Sequence, residues 1–117
     1  MQINIDLLRD ILIDVSDCPT PTVRSNRSFT YPEIPQGMID YHIHILMDAH
    51  YLKGLDASSK LNPYQYLELE LTLAGQSFLD SVKNDTVWAK TKDYLKEHAI
   101  EFSFNAVSVI AAKFTSG

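Results

Sequence analysis

The chain has one cysteine, Cys18, so no disulfide can close within it, and a reducing compartment is expected. It has no apolar run approaching the roughly 18 residues of a membrane span, which excludes a bilayer-crossing helix. It has no excess of basic charge: fifteen acids against ten bases leave a net charge of -5, a field that works against non-specific binding to phosphates. There is no Gly-rich phosphate loop, no nucleophile elbow and no Cys-x-x-Cys pair. The N-terminal residues, Met-Gln-Ile-Asn-Ile-Asp, place no basic region before an apolar stretch, so a cytoplasmic protein without a signal peptide is expected. What the chain does have is an average apolar content of 45%, enough to bury a core without metal or disulfide, over a length of 117 residues that suits one domain.

The hydrophobic spacing predicts a helix over 5–16, with Leu7, Leu8, Ile11, Leu12 and Val15 on one stripe and Asp6, Asp10, Asp14 and Asp17 opposite. Those carboxylates are spread along successive turns, so a solvated face explains them better than a metal site. Prolines at 19 and 21 break the helix. A short strand is expected over 23–31, with Phe29 and Tyr31 on one parity. A second helix is expected over 37–50, with Ile39, Ile43, Leu46 and His50 inward and Asp40, His44 and Asp48 as the polar row. A hairpin follows, with arms at 51–55 and 64–71 around a polar loop. Its second arm alternates, with Leu67, Leu69 and Leu71 on the inner face and Tyr66, Glu68 and Glu70 on the outer.

Thr72 is a good cap for the next helix, where Gly75 costs stability unless backbone packs closely there, and Phe78, Leu79 and Val82 share one side. Asp85 is expected to cap a helix over 86–98 with Val87, Trp88, Thr91, Tyr94 and Leu95 inward. Ser103 is expected to start the last helix, striped by Phe104, Val107, Ile110, Ala111 and Phe114.

Helix, short strand, helix, hairpin and further helices is the order of a winged-helix domain. The expected fold is therefore α+β: a single winged-helix-like domain over 1–117, with a small antiparallel sheet of three strands, a wing hairpin, a core over 5–83 and two helices over 85–115 as a C-terminal extension. Three stretches carry a closer resemblance: Asp6-Leu-Leu-Arg-Asp-Ile-Leu12, Tyr41-His-Ile-His-Ile-Leu46, and Leu71-Thr-Leu-Ala-Gly-Gln-Ser-Phe-Leu-Asp80 followed by Asn84-Asp-Thr-Val-Trp-Ala-Lys-Thr-Lys92. On these the chain resembles the bacterial and phage domain-of-unknown-function family 2513. The resemblance implies a winged-helix-like fold and a setting in prophages and other mobile elements, and it carries no activity. The chain departs from the family at Asp48-Ala-His-Tyr-Leu52, where His50 stands in place of a glycine that would end the helix in a left-handed turn.

A groove-reading helix presents Arg, Lys, Asn or Gln to base edges. The helix expected over 37–50 presents Asp40, His44 and Asp48 instead. This points to a protein-binding module that modulates a host or phage protein, using that acidic face as bait for a basic partner. The alternative is a DNA-binding regulator that grips phosphates through the wing, with Arg24, Arg27, Lys53 and Lys60 as contacts, against the plainer reading of these as solubilising charges.

Enzymatic chemistry finds little support. His42 and His44 are two apart and diverge across a helix, where zinc ligands sit four apart. Cys18 precedes a proline with no nucleophile motif around it, and Glu68 and Glu70 read as one solvated strand face. No catalytic residue, metal or cofactor is expected. Trp88 and Tyr94 read first as packing residues, with an interface, including that of a homodimer, as the sharper alternative.

Overall fold

The computed structural model describes residues 2–18 and 25–115. It is an α+β, winged-helix-like structure of five helices and a two-stranded antiparallel sheet: α1 (Ile5–Ser16), α2 (Gln36–Asp48), β1 (Leu52–Asp56), β2 (Tyr66–Leu71), α3 (Leu73–Val82), α4 (Asp85–Glu97) and α5 (Phe104–Thr115). Contacts cluster into two compact units, Met1–Gln76 and Ser77–Gly117, with the boundary inside α3. No helix among the described residues is long and apolar enough to cross a membrane.

In the first unit α1 packs on α2 and on β2, and α2 packs on β1. The stripe expected for α1 is the buried one: Leu7, Leu8, Ile11, Leu12 and Val15. Phe29, Ile39, Ile43, Leu46, Leu52 and Leu69 are buried with them in this unit, each stabilising by about 1.5–3 kcal/mol when fully removed from water. Asn4 caps α1, its Oδ1 accepting from the Leu7 N–H at 3.1 Å. In the second unit α4 packs on α5, with Trp88, Thr91 and Leu95 buried on one and Val107, Ile110 and Ala111 on the other.

Several expectations are corrected. The strand expected over 23–31 does not form among the described residues. Asn26–Ser28 is instead a turn of 3-10 helix, and Ser25 makes only an isolated bridge to Leu67. The reason is the buried Asn26 side chain. Its Oδ1 takes the Tyr66 N–H at 2.8 Å, the donor a third strand would have used. Residues 19–24, with the rest of that expected strand, lie outside the described residues.

The inner and outer faces of β2 also differ from strict alternation. Leu52 pairs with Leu71 and Lys53 with Glu70, but Leu55 pairs with Leu67 and Asp56 with Tyr66, so one extra residue is inserted opposite Gly54. Glu68, at φ 55°, carries this bulge. The bulge swaps the faces beyond it: Tyr66 and Leu69 are buried, while Leu67 turns outward. Gly54 is required opposite it, because a Cβ there would lie 2.6 Å from the Leu67 carbonyl oxygen.

His50 is not part of the inward stripe of α2. The helix ends at Asp48, and His50 takes the left-handed turn itself, at φ 63°. Its N–H donates to the Met47 carbonyl at 3.0 Å and the Tyr51 N–H to the Leu46 carbonyl at 2.9 Å, the paired bonds of a Schellman ending. Thr72 caps α3 as expected, accepting from the Gly75 N–H and donating to the His50 carbonyl. Gly75 is the close backbone approach that the sequence required: a Cβ would sit 2.0 Å from the Tyr51 carbonyl oxygen. The cap of α4 is Asn84 rather than Asp85, with the Val87 N–H donating to its Oδ1 at 3.0 Å. Ser103 begins α5, accepting from the Ala106 N–H.

Candidate functional site

The face of α2 expected to act as acidic bait is largely covered by the loop before α2 and by the hairpin. Asp40 is half-buried. Its Oδ1 accepts from Asn26 Nδ2 and Gln36 Nε2, each at 2.9 Å, and its Oδ2 accepts from Gln65 Nε2 at 2.9 Å. With three donors arranged around it, Asp40 is a structural acceptor and not a free charge for a partner. His44 is likewise half-buried: its Nδ1 lies 2.9 Å from the Tyr66 hydroxyl, and its ring stacks on Tyr64 with centroids 4.2 Å apart. Of the three residues expected on the interaction face, only Asp48 is exposed. An i, i+4 row marks a helix face, but it does not say whether a loop covers that face.

Of the four expected phosphate contacts, three lie among the described residues. Arg24 lies outside the described residues. Lys53 is tied across the sheet to Glu70, Nζ to Oε1 at 2.7 Å. Both ends are well exposed, so the pair adds only about 0.2–1 kcal/mol of stability, yet it neutralises the lysine. Arg27 and Lys60 are exposed. Helix α4 holds Lys90, Lys92 and Lys96, but Asp85, Asp93 and Glu97 on the same helix balance them.

Trp88 and Tyr94 take places that fit the packing reading given first for them. Trp88 is buried, 5% exposed, and belongs to the interior. Tyr94 is half-buried beside the Lys113 ammonium, 4.8 Å from its ring centroid, and near the His98 ring. Exposed large apolar residues occur singly at Ile3, Leu73, Ile100 and Val109, and as a group on the hairpin. Leu55 and Leu67 are cross-strand partners on its outer face, 56% and 46% exposed, and Leu61 at the loop is 92% exposed. The bulge created this pair by turning Leu67 outward, so the alternating sequence concealed it.

Beneath the loop runs an open groove of about 390 Å³, lined by His44, Asp56, Ser58, Lys60, Tyr64 and Tyr66 among others. Ser58 bends the loop by donating its N–H to Asp56 Oδ1 at 2.8 Å. Hydrogen bonds from the Ser58 side chain and backbone hold the Asp56 carboxyl below its usual range. Burial, and then the nearby carboxylates of Asp56 and Asp48, push the Tyr66 phenol above its ordinary value. Of these two carboxylates, that of Asp56 lines the groove.

The remaining candidates stay apart. His42 is fully buried: the Asn4 N–H donates to its Nε2 at 2.8 Å, and its Nδ1 lies 2.8 Å from the Met38 carbonyl. Cys18, half-buried, lines a separate small groove with Val15, Leu69 and Gln76. Glu68 carries the bulge and Glu70 faces Lys53, so the two do not act as a carboxylate pair. Among the described residues no three His, Cys, Asp or Glu side chains gather as metal ligands.

The chain is similar over 99% of its length to an uncharacterized protein of Haemophilus influenzae (strain Rd), at 29% identity over 120 residues, which is 97% of that protein. No solved structure gives a significant match. The family described as "Hypothetical protein (DUF2513)" matches residues 2–101. With the hairpin, its flanking helices and the Asp-Thr-Val-Trp start of α4 all inside that match, the chain belongs to the DUF2513 family.

Proposed function

We propose that this chain is a non-enzymatic protein-interaction module of a phage or mobile element, that it modulates a host or phage protein, and that the wing hairpin makes the contact. The observation that carries this reading is the outward Leu55–Leu67 pair. Two large apolar side chains at the centre of an exposed face favour a desolvating protein contact over a phosphate contact. Lys53, two residues before Leu55 on the same strand, is already paired with Glu70. The rim is acidic, with Asp56 and Glu68 exposed, which suits a partner whose contact surface is apolar at its centre and basic around it.

The test is affinity capture with the full chain from its producing cells, run beside a Leu55→Glu, Leu67→Glu double variant. A specific protein retained by the wild type and lost by the variant, with an unchanged circular dichroism spectrum, is the expected result. Retention unaffected by the variant overturns the assignment to the hairpin. The alternative, DNA binding through the wing, makes a different prediction: duplex DNA binds at low salt, and Arg27→Ala with Lys60→Ala flattens the salt dependence, each lost phosphate contact reducing the log–log slope by about 0.9.

A further inference from the structure

The groove under the hairpin loop has a construction that the apolar contact does not explain. Its wall is set by the buried side chain of Asn26, which donates from Nδ2 to the Tyr64 carbonyl at 2.7 Å and accepts the Tyr66 N–H at Oδ1. Tyr64 is thereby held in the left-handed region at φ 59°, a conformation a bulky aromatic residue rarely adopts. One face of its ring is packed against His44, the Tyr41 ring lies tilted to it with centroids 6.0 Å apart, and the residue keeps 37% of its surface exposed. His44 is fixed in turn by the Tyr66 hydroxyl. The rings of Tyr64 and Tyr66 and the carboxylate of Asp56 line one recess, with Asp48 acting on the same Tyr66 phenol.

An electron-rich ring face beside a carboxylate is the environment that a planar cation seeks. A guanidinium stacks on an aromatic ring while its edge donates to a carboxylate, and it does both with less hydration to lose than an ammonium has. We propose that this groove receives an arginine side chain of the partner protein, the guanidinium stacking on Tyr64 and pairing with Asp56. This rests on the protein-binding reading and deepens it, since it places a cationic contact beside the apolar one. Lys60, on the same groove, opposes the incoming charge and so serves as a built-in test of sign.

The experiment is an NMR titration of the full chain with N-acetyl-arginine amide, with the lysine and citrulline analogues as parallel arms. The arginine amide is expected to shift the signals of Asp56, Ser58, Tyr64 and Tyr66, the lysine analogue to bind more weakly, and the uncharged citrulline analogue to leave them in place. Asp56→Asn keeps an acceptor for the Ser58 N–H and removes the charge, so affinity should fall about three- to tenfold. Tyr64→Leu should fall similarly. Lys60→Ala should bind about twofold or more tightly, a gain that misfolding cannot imitate. Equal shifts with citrulline, or no shifts with arginine, overturn the subsite while leaving the Leu55–Leu67 capture to stand by itself. Arginine binding by a chain that captures no protein overturns the partner as the source of the arginine, and the interaction module with it.

Discussion

His42 shows how one side chain can join distant segments of the sequence. The Asn4 N–H donates to Nε2, so that nitrogen carries no proton, and the Met38 carbonyl then fixes the hydrogen on Nδ1. Asn4 is also the cap of α1, so a neutral His42 helps hold the start of that helix. Burial lowers the His42 pKa, against the opposing effect of the Met38 hydrogen bond. A histidine whose folded value lies below its unfolded value binds more protons when unfolded. Its contribution is therefore complete above the unfolded value of about 6.5 and is lost as pH falls through the folded value. Thermal unfolding followed by circular dichroism should show the melting temperature dropping below about pH 6.5, and His42→Gln should lower the plateau while removing much of that drop. An equal pH slope in wild type and variant would assign the effect elsewhere. The sequence placed His42 on the helix expected over 37–50, outside its inward stripe. Its full burial depends on Asn4, 38 residues away, and no local spacing encodes that pairing.

At the scale of elements, the caps and breaks were legible where a single residue decides them. Thr72 and Ser103 accept from N–H groups three residues on, and Gly75 leaves the space that the Tyr51 carbonyl occupies. Helix ends that run against propensity were not. Both α2 and α4 finish in a left-handed residue that is not glycine, His50 at φ 63° and Ala99 at φ 51°. In each case the paired backbone bonds of the ending outweigh a conformational cost of about 1–2 kcal/mol. His50→Gly should recover part of that cost, about 0.5–1 kcal/mol, because glycine's greater freedom in the unfolded chain offsets the rest. The check is the urea midpoint, which should rise with the m-value unchanged. The bulge at Glu68 follows the same logic, with Gly54 opposite providing room. Strict alternation put Tyr66 outside and Leu67 inside. One inserted residue reverses both, and with them the side of the hairpin that is apolar.

For the whole molecule, the net charge of -5 governs approach more than affinity. Association with a basic partner should slow as salt is raised from 50 to 500 mM while the dissociation rate changes little, as stopped-flow mixing or surface plasmon resonance would read. An association rate indifferent to salt would contradict a basic partner. Composition and periodicity by themselves determined the α+β class, the helical stripes of α1 and α5 and the hairpin, because these depend on side-chain spacing within single elements, while the family was carried by particular stretches of residues. Only the tertiary structure decided which faces remain open. Asn26 displaced a third strand, Asp40 and His44 were covered by residues 26, 64 and 65, and Leu67 came out. Each of these outcomes turns on a hydrogen bond or a register between segments far apart in the chain, and a one-dimensional pattern of polar and apolar residues carries no record of which partner will satisfy a given donor.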